Sequence, residues 1–145
     1  MQGYAGGKAA DQYLAQRIQG ASPEQLVGML LEGCQRFLNL ALKAMKERDL
    51  PKQGRYVNRA ADIIFGLKER LNHDEGGELV ENLIRIYDWW TKELFEGAMK
   101  NQPERLQLIS TQMGEMRATW EELHQRKAGT VQPPNPSASL GDMSV

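Results

Sequence analysis

The sequence predicts an all-α protein and, within that class, an antiparallel up-and-down four-helix bundle. Three observations lead there. The long segments place their apolar residues at the helical period. Val, Ile and Thr are sparse, and no alternating apolar run has useful length for a strand. Four long helical segments are separated only by short breaks, and short connections make successive helices antiparallel neighbours. The 145 residues suit one ordinary domain. The domain is expected over residues 16–128, between a flexible segment at 1–15 and a disordered tail at 129–145.

Residues 1–15 are small and Gly-rich, with little to bury. "GASPEQL" is the first strong punctuation: Ser22 can cap a helix, Pro23 suits its first turn and Gln25 can complete a capping box. A first helix follows, from about Pro23 to Arg48. "DLPKQG" reads as a break, and a second helix runs from about Arg55 to Leu71. "NHDEGG" is the next break, with Asp74 as a cap for a third helix over about Glu75 to Lys100. Gly76 and Gly77 stand at that helix start, where a missing side chain lets another backbone come close. "NQP" separates the third helix from a fourth, with Pro103 in the first turn and the end near Lys127. The tail "GTVQPPNPSASLGDMSV" is rich in Pro and Ser.

The apolar faces are wider than one buried stripe requires. In the third helix, Leu79, Leu83, Ile86, Tyr87, Trp90 and Leu94 make a full core stripe. Val80, Ile84, Phe95 and Ala98 widen it to roughly 180°, against about 100° or a little more for a helix with one buried face. Trp89 and Trp90 are neighbours about 100° apart, so they cannot both face one core. On the first helix Leu26, Leu30, Cys34, Phe37 and Ala41 read as core, widened by Leu31, Leu38, Leu42 and Met45. On the second, Tyr56, Ala60, Ile63, Ile64, Leu67 and Leu71 read as core, with Phe65 well off that face. The fourth carries one stripe, Leu106, Ile109, Met113, Met116, Trp120 and Leu123, with Leu108 to one side. A thick core with a docked N-terminal segment would absorb the surplus. A groove for a partner helix would use it, since contiguous exposed apolar patches mark binding sites.

Chemistry is scarce. "EELH" sets Glu121 and His124 three apart, as in di-iron bundles, but the matching motif fails because Arg70 stands three before His73. His124 reads instead as part of a solvated helix end. No Gly-rich phosphate loop is present, so no nucleotide cycle is expected. Cys34 lies on a core-facing arc and reads as packing. No cofactor, metal site or enzymatic activity is expected. The formal net charge of −1 argues against a nucleic-acid partner. No apolar run approaches a membrane span. One cysteine and the absence of an apolar leader fit the cytoplasm.

"YLAQRIQGASPEQLVGMLLEG" resembles the N-terminal signature of the flagellar secretion chaperone FliS family, through Tyr13, Ser22, Pro23, Leu26, Leu30 and Gly33. "RAADIIFGLKERLNHDEGGELVENLIRIYDWW" resembles its central signature, through Leu71, Gly76, Gly77, Leu83, Tyr87 and Asp88. "RATWEEL" resembles its closing motif through Trp120. The likeness spans roughly Tyr13 to Leu123. It departs at Leu31 and Glu32, where the family usually has Tyr and Asp, and at Trp89 and Trp90, in place of a Tyr and a smaller apolar residue.

The resemblance implies an antiparallel helical bundle that acts as a cytoplasmic export chaperone. The partner it implies is the C-terminal segment of flagellin, held against early polymerisation and delivered to components of the flagellar export gate. It also implies an N-terminal segment that covers part of the groove when the partner is absent. On that reading Leu31, Leu42, Phe65, Ile84, Tyr87 and Phe95 are the candidate flagellin-binding residues. Tyr13 and Ile18 are candidates for the cover. The protein is expected to be a monomer or weak homodimer. The competing reading is a self-associating structural bundle built on the same surplus arc.

Overall fold

The computed structural model describes residues 12, 15–72, 74 and 76–129. Among them every long element is a helix. After a helical turn at residues 15–19 come α1 (Pro23–Glu47), α2 (Leu50–Glu69), α3 (Glu78–Met99) and α4 (Pro103–Lys127). Tyr13, His73, Glu75 and the stretches before residue 12 and after residue 129 lie outside the described residues.

Local chemistry sets each boundary. The Ser22 hydroxyl accepts the Gln25 backbone N–H at 3.1 Å, and the Gln25 side chain accepts the Ser22 N–H at 3.0 Å. This is the capping box read from the sequence, and it starts α1. Arg48 then turns left-handed, with φ 57°, and ends it. The break is shorter than the "DLPKQG" stretch, however, and covers only Arg48 and Asp49. The Asp49 side chain accepts the Lys52 N–H at 3.1 Å and Pro51 sits in the first turn, so α2 begins at Leu50 rather than near Arg55.

At α3 the expected Asp74 cap is replaced. Gly76 and Gly77 both take positive φ, 57° and 94°, so the chain becomes helical only after them, at Glu78. No atom lies within 4 Å of a side chain placed on Gly77. Its glycine serves the dihedral and not a close approach. Asn101, also left-handed at φ 55°, turns the chain into α4.

Contacts between helices run in opposite senses along each pair. On α1 and α2, Phe37 stacks on Tyr56 and the Cys34 thiol reaches the Ala60 carbonyl. On α1 and α4, the Ser22 hydroxyl meets His124 Nδ1 at 2.9 Å, while Gln35 Nε2 donates to the Ser110 carbonyl at 2.9 Å. On α2 and α3, Gln53 pairs with Ala98 and Lys68 with Asp88. On α3 and α4, Trp90 pairs with Gln112 and Glu93 with Arg105. Thus α1 and α3 each pack against both α2 and α4.

His124 is therefore not part of a solvated end. It is half-buried and tied to the α1 cap. Nearby, Lys127 bonds the buried Glu24 carboxylate and holds its pKa below the usual range, against the opposing effect of burial.

The core contains Leu31, Cys34, Leu38, Ala41 and Met45 of α1 and Val57, Ala60, Ile64 and Leu67 of α2. Leu83, Tyr87, Trp90 and Leu94 of α3 meet Leu106, Ile109, Met113 and Met116 of α4. The α3 and α4 stripes follow the sequence pattern. The α1 stripe is rotated by roughly 60° from the expected one. Leu26, Leu30 and Phe37 are only half-buried, while Leu31 and Leu38 are sealed. The reason is the position of α1 between two partners. Phe37 lies against α2 on one flank and Gln35 against α4 on the other, which leaves the middle of the arc for the core.

Candidate functional site

The apolar surface that the core leaves over collects along the α2–α3 seam. A cleft of about 600 Å³ opens there. Ile64 and Tyr87, both buried, form its floor, and Ala61 and Thr91 keep the middle low. Phe65 and Phe95 stand as its walls, 64% and 40% exposed. Asp62, Lys68, Asp88 and Lys92 make a rim of both signs.

Helix geometry extends this feature. On α2, positions 50, 54, 61 and 65 share one face. On α3, positions 84, 88, 91, 95 and 99 do the same. Leu50 and Met99, 71% and 79% exposed, therefore continue the row past Phe95 toward the α2 start. Gln53 Nε2 donates to the Ala98 carbonyl at 3.1 Å and ties the two helices together at that end. Four of the exposed large hydrophobics thus lie on one seam.

Three of the six expected binding residues, Phe65, Tyr87 and Phe95, come together in this cleft. Tyr87 serves as floor, with its hydroxyl 4.0 Å from the Met116 sulfur and its pKa pushed up to about 12 by burial. Ile84 is half-buried and lies one turn before Asp88 on the same α3 row. Leu31 is corrected: it is fully buried and offers no wall. Leu42 is half-buried against the core on α1, a helix that contributes nothing to the cleft lining. Ile18 is exposed, but residues around it face α1 and α4. There Gln16, Arg17, Gly20 and Ala21 border a second hollow of about 450 Å³ with Gly28, Met29 and Arg117. Leu50 and Met99 went unread in the sequence. The available signal was the Asp49-x-Pro51 start, which puts Leu50 on the face of Phe65.

The two tryptophans separate as their spacing requires. Trp90 is buried, with its indole N–H donated to Gln112 Oε1 at 2.8 Å and its ring 5.6 Å from that of Tyr87. Trp89 is exposed on the opposite flank from the cleft.

This arrangement is suited to holding a chain. Burial pushes the Cys34 thiol up to about 12, leaving it a poor nucleophile. Among the described residues no three His, Cys, Asp or Glu side chains gather to hold a metal ion. No helix there is long and apolar enough to cross a membrane. Apolar walls with a mixed-charge rim fit the apolar face of an amphipathic helix.

Comparison with known proteins identifies the family. The family described as "Flagellar protein FliS" matches residues 6–127. The flagellar secretion chaperone FliSB of Pseudomonas aeruginosa is 31% identical over 118 residues, covering 79% of this chain and 94% of that protein. The flagellar secretion chaperone FliS of Vibrio cholerae is 28% identical over 107 residues, covering 74% and 79%. The one of Salmonella typhimurium is 27% identical over 107 residues, covering 73% and 79%.

Proposed function

The chain belongs to the flagellar protein FliS family, and from that premise we propose that it is a cytoplasmic export chaperone for flagellin, with the α2–α3 seam as its docking surface. The exposed row of Leu50, Phe65, Phe95 and Met99 beside the Tyr87 floor carries this reading. We read the four helices as an antiparallel up-and-down bundle, a reading supported by contacts that run in opposite senses on every adjacent pair.

The mechanism is a holdase without a nucleotide cycle. The C-terminal segment of flagellin brings an apolar face that would otherwise find other copies. Burying it contributes about 25 cal/mol per Å². Ordering the segment costs about 2–5 kcal/mol, so roughly 80–200 Å² offsets ordering alone. Lost rigid-body freedom demands several hundred Å² more. A contact of that size uses the whole row from Leu50 and Met99 to Ile84, roughly 20–25 Å of helix. Release comes from competition at the export gate or from the pull of transport.

Calorimetric titration with the C-terminal flagellin segment tests the proposal. Saturable one-to-one binding with a large negative heat-capacity change is expected. A folded protein that takes up no heat with the segment, yet gains mass with concentration, would replace the chaperone reading by self-association through the same row.

A further inference from the structure

The apolar row along α2 and α3 is crossed by a polar contact. Lys68 Nζ lies 2.8 Å from Asp88 Oδ1, joining the two helices over the cleft. Phe65 precedes Lys68 by three residues, and Phe95 follows Asp88 by seven, so both aromatic walls lie on one side of the pair. Ile84 lies on the other side, one turn before Asp88. A helix laid along the seam from Met99 to Ile84 must pass over this pair.

What it can carry there is limited by electrostatics. Both side chains are more than one-third exposed, so in the free protein water stabilises them and their mutual attraction is weak. A continuous apolar stripe pressed over the pair would strip that water from two charges, and the attraction between them repays this poorly. A polar side chain at that point keeps both charges bonded. Asp88 can accept and Lys68 can donate, so an amide or hydroxyl satisfies either. On both sides of the pair the seam favours apolar groups.

We propose that the Lys68–Asp88 pair is a specificity-determining element of the cleft: it fixes the register of the bound helix by demanding a polar residue between two apolar anchors. This rests on the chaperone reading. It adds to that reading a constraint on the partner: an amphipathic helix whose apolar stripe is broken once, about two turns from the anchor that meets Phe95. The pair acts by exclusion, since misplaced registers put an apolar side chain over two charges.

The test is a leucine scan of the polar positions in the C-terminal flagellin segment, measured by fluorescence anisotropy. The scan is run on the native protein and on a Lys68→Met, Asp88→Leu double variant. One or two positions should lose at least about tenfold on the native protein, and that loss should fall below about twofold on the double variant. The shape-conserving Asp88→Asn variant, which keeps one oxygen acceptor and gains an N–H donor, should retain most of the discrimination. The native segment is titrated first. If it binds the native protein and no scan position depends on the pair, the register proposal is overturned while the chaperone reading stands. If it does not bind the folded native protein, both fall.

Discussion

Against α4, helix α3 is shut; against α2, the same helix leaves a cleft. On the α4 side Trp90 donates to Gln112, and Arg105 reaches across to Glu93 and Glu96, at 2.7 Å from Glu96. The carboxylates, Glu93 foremost, push the Arg105 pKa up, and Arg105 in turn lowers that of Glu96. Gly97 lets the α4 start come so close that a Cβ there would meet Leu106 Cδ1 at 2.8 Å. On the α2 side the small residues, Gly54 and Ala61, face open space or the cleft instead. Small residues close one seam and hollow the other. What differs is whether large side chains stand beside them pointing inward, as Leu106 does, or outward, as Phe65 does.

The largest test of this contrast uses the adjacent tryptophans. Trp90→Ala removes a fully buried ring and leaves Gln112 without its donor, and should lower unfolding free energy by about 3–5 kcal/mol. Trp89→Ala should change it by less than about 1 kcal/mol. Chemical denaturation of both variants measures this. Equal losses would mean that Trp89 is part of the packing and that the α3–α4 seam is misassigned.

Charge placed on the open seam should do the reverse. Phe65→Glu or Phe95→Glu should weaken binding of the flagellin segment by at least about 30-fold, the scale of a lost hot spot. Stability should stay within about 0.5 kcal/mol for Phe65→Glu, whose ring is mostly in water, and fall by about 1 kcal/mol for Phe95→Glu, whose ring is the more buried of the two. Ile84→Glu extends the test to the far side of the ion pair. A loss of helicity in that variant would make Ile84 part of the core and shorten the docking row.

How much of this was readable in advance depends on what a helix wheel contains. The wheel gave the α4 stripe directly, because α4 has one narrow face from Leu106 to Met116. It gave the width of the α1 arc but not its phase, so Leu31 was set on a wall when it belongs to the core. The width of that arc reflects two flanking helices, a tertiary fact. Phe65 and Phe95 were recoverable as residues off the core face. Their meeting across one cleft required knowing that α2 and α3 are neighbours and which faces they turn to each other. Leu50 was lost to a local error, the reading of Pro51 as a breaker where Asp49 makes it a starter. The family motifs marked Tyr87 and Asp88, but not that one is floor and the other half of a bridge.

The finest probe compares two glycines. In helix interiors Gly→Ala gains about 0.5–1 kcal/mol by reducing the freedom of the unfolded chain. Gly54 in α2 meets nothing within 4 Å, so Gly54→Ala should stabilise by that amount. At Gly97 the same gain is opposed by contacts at 2.8 Å to Leu106, 3.0 Å to Arg105 Cβ and 3.3 Å to the Gln102 carbonyl. Leu106 is fully buried, so any shift of its side chain disturbs packed neighbours. Overpacking of this kind costs about 1–3 kcal/mol, so Gly97→Ala should destabilise by about 1 kcal/mol net. Thermal melts of the pair should therefore move in opposite directions by a few degrees. If both rise, the α3–α4 seam yields easily at its turn, and its closure rests on Trp90 and the Arg105 network instead. If both fall, Gly54 lies against something, and the open row on α2 is already occupied near its start.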